Sequence, residues 1–193
     1  APMPGFIHDK LEIKFLILYI TARVIEPIPF GTVWDLAMCD EGVDYFDFYL
    51  FHNVYERNVG PYLDPDNRVL EYLLRQKEAG RIRHLGFSAH GSIPVMERFL
   101  NAYGEHMEFC QIQLNYLDWI MQDAKGKVEL LNARHIPIWV MEPLRGGKLC
   151  TLDEEAMSEL QKLRPQESMS GWAFRFLQSI PGVTMILSGM SDM

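Results

Sequence analysis

Residues 82–115 read IRHLGFSAHGSIPVMERFLNAYGEHMEFCQIQLN, and this stretch decides the fold. Its two ends, Ile82–Ser88 and Phe109–Asn115, are short runs rich in β-branched and aromatic residues, which predicts strands. Between them Val95, Met96, Phe99 and Leu100 recur at helical spacing, and Gly104 sits where a helix should stop. Strand, helix, strand is the unit from which parallel sheets are built by crossover connections.

The same grammar extends on both sides. Tyr45–His52 (YFDFYLFH), Ile136–Glu142 (IPIWVME) and Val183–Ser188 (VTMILS) read as further strands. Val69, Leu70, Leu73, Leu74 and Lys77 predict a helix after the first of them, with Gly80 as its stop. Val128, Leu130 and Leu131 predict one after Phe109–Asn115, while Trp172, Phe174, Phe176 and Leu177 predict one before the last strand. Gly182 is expected to stop that last helix. The middle three strands start 27 residues apart, close to the minimum for one β/α unit. The period is architectural, because no residue pattern repeats.

Two parallel folds compete for such a chain. An open doubly wound sheet usually carries a Gly-rich loop after its first strand, and none is present. A barrel gathers polar side chains at the C-terminal ends of successive strands. This chain does so with His52 and Asn53, Ser88 and His90, Gln111 and Asn115, Glu142, then Ser188 and Ser191. The expected fold class is therefore α/β, a partial (β/α)8 TIM-type barrel with about five units recognisable. Residues 44–193 hold those units. Residues 1–43 offer one strand-like piece, Leu16–Ile20, a possible helix near Trp34–Met38, and prolines at 2, 4, 27 and 29. Three more units do not fit there, so the N-terminal units are expected to be missing or replaced, within one domain overall. Ala1 at the start and Ser191-Asp192-Met193 at the end, with no terminal helix, read as cut ends.

Composition excludes several classes. The 193 residues are 48% hydrophobic, 23% charged and 12% aromatic, as in an ordinary globular protein. A net charge of −8, spread along the chain, argues against nucleic acid and anionic membrane as partners. Phe15–Ile20 is too short to span a bilayer and has Lys14 and Arg23 beside it. Cys39, Cys110 and Cys150 are odd in number and far apart, which fits reduced thiols in cytoplasm and signals neither disulfides nor a zinc ribbon. The six histidines lack ligand spacing, so no metal site is expected. An incomplete barrel would expose strand edges, from which self-association follows as an expectation.

Taken in order, five pieces of this chain resemble the aldo-keto reductase family. Asp44–His52 is similar to the family's fourth strand with its terminal catalytic histidine, and Leu85-Gly86-Phe87-Ser88 to the fifth. Gln111-Ile112-Gln113-Leu114-Asn115-Tyr116 resembles the sixth, and Glu142–Leu149 the seventh-strand loop that wraps the pyrophosphate. Ile180-Pro181-Gly182 through Ser188-Gly189-Met190-Ser191 resembles the eighth strand and its phosphate-side loop. The match runs over about residues 36–193 and looks closest to a bacterial branch whose members often end in a ferredoxin-like cysteine cluster. The iron–sulfur ligands of such a tail are not encoded here.

The resemblance implies an NAD(P)H-dependent oxidoreductase that reduces a small carbonyl, or oxidises an alcohol, by hydride transfer. It implies His52 as a catalytic residue that orients the carbonyl. It implies NADP(H) bound by Ser88, Gln111, Met141, Pro143, Leu144, Gly146, Ser188, Gly189 and Ser191. Elementary chemistry agrees. Ser88 and Gln111 carry the hydroxyl and amide that fix a nicotinamide carboxamide. Glycines at 146, 147 and 189 let backbone N–H groups approach phosphates.

On the residues alone, the bland readings stay open. Without the resemblance these are the favoured ones: His52 as a buried strand-end histidine bonded to backbone, Ser88, Gln111 and Asn115 as rim residues satisfying loop carbonyls, and Gly146-Gly147 as a turn. His90 reads as a loop residue and Glu142 as a structural acceptor.

The family's proton-donating tyrosine, with its lysine and aspartate, comes from strands before the histidine strand. No match stands before residue 44: Tyr19 is the only tyrosine there, Lys10 and Lys14 precede it, and the Asp40–Tyr45 spacing reads as coincidence. Met141 takes a position that is often aromatic, and Ala89 one that is often asparagine. A non-catalytic nucleotide-binding or regulatory module, or an inactive fragment keeping the cofactor face, is therefore the alternative. An unrelated phosphate-binding barrel enzyme ranks last, because it leaves His52, Ser88 and Gln111 unexplained.

Overall fold

The structure, a computed structural model, describes residues 45–187. Five strands and seven α-helices alternate along them: β1 (Phe46–Val54), α1 (Val59–Leu63), α2 (Val69–Glu78), β2 (Ile82–Ala89), α3 (Ile93–Tyr103), β3 (Cys110–Gln113), α4 (Asp118–Met121), α5 (Ala124–Ala133), β4 (Ile138–Met141), α6 (Glu154–Leu163), α7 (Met169–Gln178) and β5 (Val183–Ile186). Single 3-10 turns follow α3 at Gly104–His106 and precede α6 at Lys148–Cys150. The strands lie side by side in chain order, β1-β2-β3-β4-β5. Neighbours from β2 to β5 are parallel. β1 runs the same way against β2, since Phe46 N–H donates to Arg81 O near the start and His90 N–H to Val54 O at the end. This is an α/β fold made of five successive units of a (β/α)8 barrel, as the alternating pattern implied.

The described residues belong to two compact units, and β1 and β2 contribute to both. The first unit, residues 45–49 and 60–84, is built by α2 with Val69 and Leu73 buried, by Phe48 stacked on His84 at 5.0 Å, and by an Asp47–Arg83 ion pair. The second, residues 50–59 and 85–187, holds the main core and every candidate site residue that is described. Its strands follow the two-residue alternation of a sheet with unlike faces. One face is apolar and closed: Phe51, Phe87, Ala89, Cys110, Ile112, Ile138 and Val140 are buried there. Phe51 and Phe87 meet Phe99 of α3 at ring-centroid distances of 5.2 and 4.9 Å. Helix packing of this kind, with Met96, Leu100, Val128, Leu131 and Leu177 also buried, removes most of the unit's apolar surface from water.

The other face carries the alternate residues. Ser88, Gln111 and Trp139 form one register row across β2, β3 and β4, continued by Met185 of β5 after a bulge between Ile138 and Trp139. Gln113 and Met141 form the next row. Beneath them Phe109 stacks on Trp139 at 4.1 Å with an interplanar angle of 20°. That stack requires Gly86, where an added Cβ would stand 2.6 Å from the Phe109 ring and from its carbonyl oxygen.

Several element limits differ from the sequence expectation. β1 continues two residues past His52, to Val54, because Val54 O still accepts N–H groups from His90 and Gly91. β3 and β4 are shorter than the apolar runs that announced them. Gly80 stops α2 in the left-handed conformation, as expected, with φ of 75°. Gly104 does not: its φ is −57°, and the chain tightens into a 3-10 turn there. Gly182 lies beyond the end of α7 and turns the chain into β5 instead. α1, α4 and α6 were not foreseen, the first two being too short to show a period. The expectations for residues 1–43 lie outside the described residues.

Candidate functional site

The open face of the second unit collects polar groups above the Phe109–Trp139 floor. Ser88 is 3% exposed, and its hydroxyl oxygen accepts the Asn53 N–H at 2.7 Å. Asn53 is left-handed, with φ of 55°, one residue before the end of β1. Ser88 thus serves a backbone N–H and not the loop carbonyl of its bland reading, and its own proton has no acceptor among the described residues. Gln111 beside it is half-buried, and its carboxamide makes no hydrogen bond among the described residues.

The contrast with its neighbours is informative. Asn115 is fully buried and fully used: Oδ1 accepts the N–H groups of Leu117 and Asp118, and Nδ2 donates to Asp118 Oδ2 and to the Glu142 carbonyl. Gln113 also donates to Asp118 Oδ2, at 2.8 Å. Asn115 is therefore a structural residue, whereas Gln111 offers its donors and acceptor outward.

His52 alternates with buried Phe51 and so takes the open face. It is exposed, yet its ring is desolvated enough to lower its pKa below the ordinary 6.5, and the nearby charge of His90 lowers it further. His90 lies in the loop after β2, as read, and is itself held low by burial and by Lys127. Both histidines favour the neutral form at pH 7, in which one ring nitrogen donates and the other accepts.

The turn after β4 is the second part of the site. Met141 is half-buried at the strand end, and Pro143 and Leu144 are buried. Glu142, Arg145, Gly146 and Gly147 all have positive φ, at 56°, 48°, 62° and 83°. The turn is closed by Arg145 N–H to Glu142 O and Leu149 N–H to Leu144 O. Among the described residues the amides of Gly146 and Gly147 have no acceptor, and both residues are exposed. Open space surrounds both glycines, so their φ values, not crowding, call for glycine. Two adjacent free N–H groups in a left-handed turn are an anion-binding arrangement. Ser188, Gly189 and Ser191 lie outside the described residues.

Three residues of this region were not singled out from the sequence. Trp139 stands two residues before Met141, so strand alternation alone puts it on the same face. Asp118 is fully buried and gathers Gln113 and Asn115, with its other oxygen 3.2 Å from Arg145 Nη1. Neither Asp118 nor Arg145 carries a local pattern; only the tertiary turn brings them together. Among the described residues no three His, Cys, Asp or Glu side chains converge as metal ligands do. No helix among them is long and apolar enough to cross a membrane.

A profile of the Aldo/keto reductase family matches residues 40–193, most of the chain. The chain belongs to the aldo/keto reductase family. Solved aldo/keto reductases share its fold. A thermostable member crystallised with the inhibitor epalrestat is 20% identical at a TM-score of 0.60, covering 83% of this chain and 54% of its own. The holo form of an aldo-keto reductase from Bacillus halodurans is 20% identical at 0.59, covering 83% and 53%. An aldo/keto reductase from Klebsiella pneumoniae, solved in complex with NADP and acetate, is 16% identical at 0.55, covering 82% and 52%. This chain therefore spans about half the length of the solved aldo/keto reductases it matches. A search of curated proteins gave no match.

Proposed function

We propose that this aldo/keto reductase chain forms the cofactor face of an NADP(H)-dependent oxidoreductase that interconverts a small carbonyl and its alcohol. The observation that carries the reading is the Gln111 carboxamide, unpartnered in a half-buried row beside Ser88, with the free Gly146 and Gly147 amides at the next strand end. A primary amide and a hydroxyl side by side suit the donor and acceptor pattern of a nicotinamide carboxamide. The left-handed turn suits its phosphates, and Trp139 and Met141 offer apolar surface between the two. A reduced nicotinamide bound there would supply hydride to the carbonyl carbon.

The chain's own residues would do the rest. Ser88 and Gln111 would orient the carboxamide, and Met141, Pro143 and Leu144 would line the nicotinamide and its linkage. His52, neutral and on the same face, would donate a hydrogen bond to the carbonyl oxygen where negative charge develops. Ser188, Gly189 and Ser191 would complete the phosphate side. Free Cys110 and Cys150 fit a reducing compartment such as the cytoplasm.

A second reading, a nucleotide-binding module without catalysis, is favoured by the lack of a Tyr–Lys–Asp match before residue 44. Titrating the purified chain with NADPH, followed by cofactor fluorescence, tests what the two share. Saturable micromolar binding that Gln111→Ala weakens is expected. Gln111→Ala is the cleaner variant, since Ser88→Ala also strips the acceptor from Asn53. No binding by the unaltered chain would sink both readings. Binding with no carbonyl turnover would leave the second.

A further inference from the structure

Asp118 draws together three segments that no strand or helix joins. Its Oδ2 accepts from Gln113 Nε2 at 2.8 Å and from Asn115 Nδ2 at 2.7 Å, which ties it to the end of β3. Its backbone N–H is capped by Asn115 Oδ1 at 2.8 Å. Asn115 Nδ2 reaches on to Glu142 O at 3.0 Å, the residue that opens the left-handed turn. The remaining oxygen, Oδ1, is fully buried and lacks an aligned hydrogen bond, and the cation facing it is Arg145 Nη1 at 3.2 Å. An anion placed at 0% exposure is costly unless such a partner stays in place.

Arg145 is held on one side only. Nη1 faces Asp118 and lies 3.8 Å from the Met121 sulfur, while Nε and Nη2 have no partner among the described residues. Its side chain is 26% exposed, and Arg145 directly precedes Gly146 and Gly147 in the turn. The turn thus carries a guanidinium anchored by a buried carboxylate, next in sequence to two N–H donors.

We infer that Asp118 is a positioning residue that holds Arg145, and with it the 142–147 turn, ready for a phosphate of the dinucleotide. The inference rests on the cofactor reading above for its ligand. Asp118 touches no phosphate itself; it acts by fixing the one side chain that would. Gly146 and Gly147 supply direction through their amides, and Arg145 supplies charge through its outward edge. Without the carboxylate, Arg145 would swing on its flexible stem, and the phosphate would have to order it on binding.

Asp118→Asn is the informative change. It keeps volume and an oxygen for the Gln113 and Asn115 amides, and puts a neutral amide nitrogen in place of the charged oxygen that faces Arg145. NADPH affinity, thermal stability and backbone amide exchange over residues 142–149 are compared among the parent, Asp118→Asn, Arg145→Met and the double variant. The expected result is a loss of about tenfold in affinity for each single variant, the worth of one charge-assisted hydrogen bond. The double variant should lose no more than the worse single one, and exchange in the turn should quicken in Asp118→Asn. Parent-like affinity in Asp118→Asn, or losses that multiply in the double variant, would overturn the proposal. If the parent binds no NADPH the cofactor reading fails first. The clamp is then judged by exchange alone, where unchanged protection of residues 142–149 in a folded Asp118→Asn refutes it.

Discussion

Gly86 shows what a single position can demand. The Phe109 ring and carbonyl occupy the space of its missing Cβ, with the ring stacked in turn on Trp139. Gly86→Ala must move that floor, at a cost of about 1–3 kcal/mol, and chemical denaturation should show it as a lower midpoint with unchanged slope. His52 bears on acid stability. Its pKa is held below 6.5 when folded, so between that lowered value and 6.5 the unfolded chain binds more protons than the native one. Its penalty is absent above pH 6.5, grows as pH falls through that window and is complete below the folded pKa. An NMR titration should place the His52 midpoint below 6.5, and His52→Gln should make the acid loss shallower. A midpoint at or above 6.5 would contradict the desolvated ring.

Sequence reading reached these residues unevenly, for physical reasons. His52, Ser88 and Gln111 were legible because strand alternation and a family resemblance both mark them. What could not be seen was which amide was free: Gln111, Gln113 and Asn115 are chemically alike, and only the fold spends two of them on Asp118. Gly146 and Gly147 were legible as a turn, but the left-handed backbone of Glu142 and Arg145 beside them was not.

At the scale of elements, α5 buries a charge it does not neutralise. Lys127 is 6% exposed and has no ion pair or hydrogen bond among the described residues, while its helix is capped by Asp123 accepting the Gly126 N–H. Burial lowers the pKa of its ammonium below 10.5, against the weaker pull of Cys110, Asp123, Glu56 and Asp118. The lowered value means the penalty is present at neutral pH and is relieved as pH rises from the folded pKa toward 10.5. Lys127→Met should therefore stabilise the chain by roughly 1–3 kcal/mol at pH 7, with a gain that shrinks in alkali. A destabilised Lys127→Met would mean that the ammonium has a partner in solution. The helical period announced α5 through Val128 and Leu131 but could not reveal that Lys127, one place before, would share their burial. Long runs such as α2, α3 and α7 were legible because three turns repeat an apolar stripe. α4 was not, because four residues repeat nothing.

At the scale of the molecule, β1 and β5 are the outer strands of the described sheet. Strand edges offer unpaired N–H and C=O groups to a neighbour. We predict concentration-dependent association, visible as a sedimentation coefficient that rises with loading. A monodisperse monomer that melts cooperatively at all concentrations would show the edges to be covered. The class of fold was legible at this scale because five alternations of strand and helix survive any error in their limits. The division into two compact units was not, since it runs through the middle of β1 and β2.

Strand order has a bearing on time as well as space. The starts of β2, β3 and β4 are 28 residues apart, and each strand pairs with the one made just before it. A ribosome working at about 5–20 residues per second needs roughly 1–6 s to deliver one such interval. Hairpin and helix formation take microseconds. Each newly emerged strand thus finds its sheet neighbour already synthesised, so pairing can follow the order of translation without waiting for a distant partner.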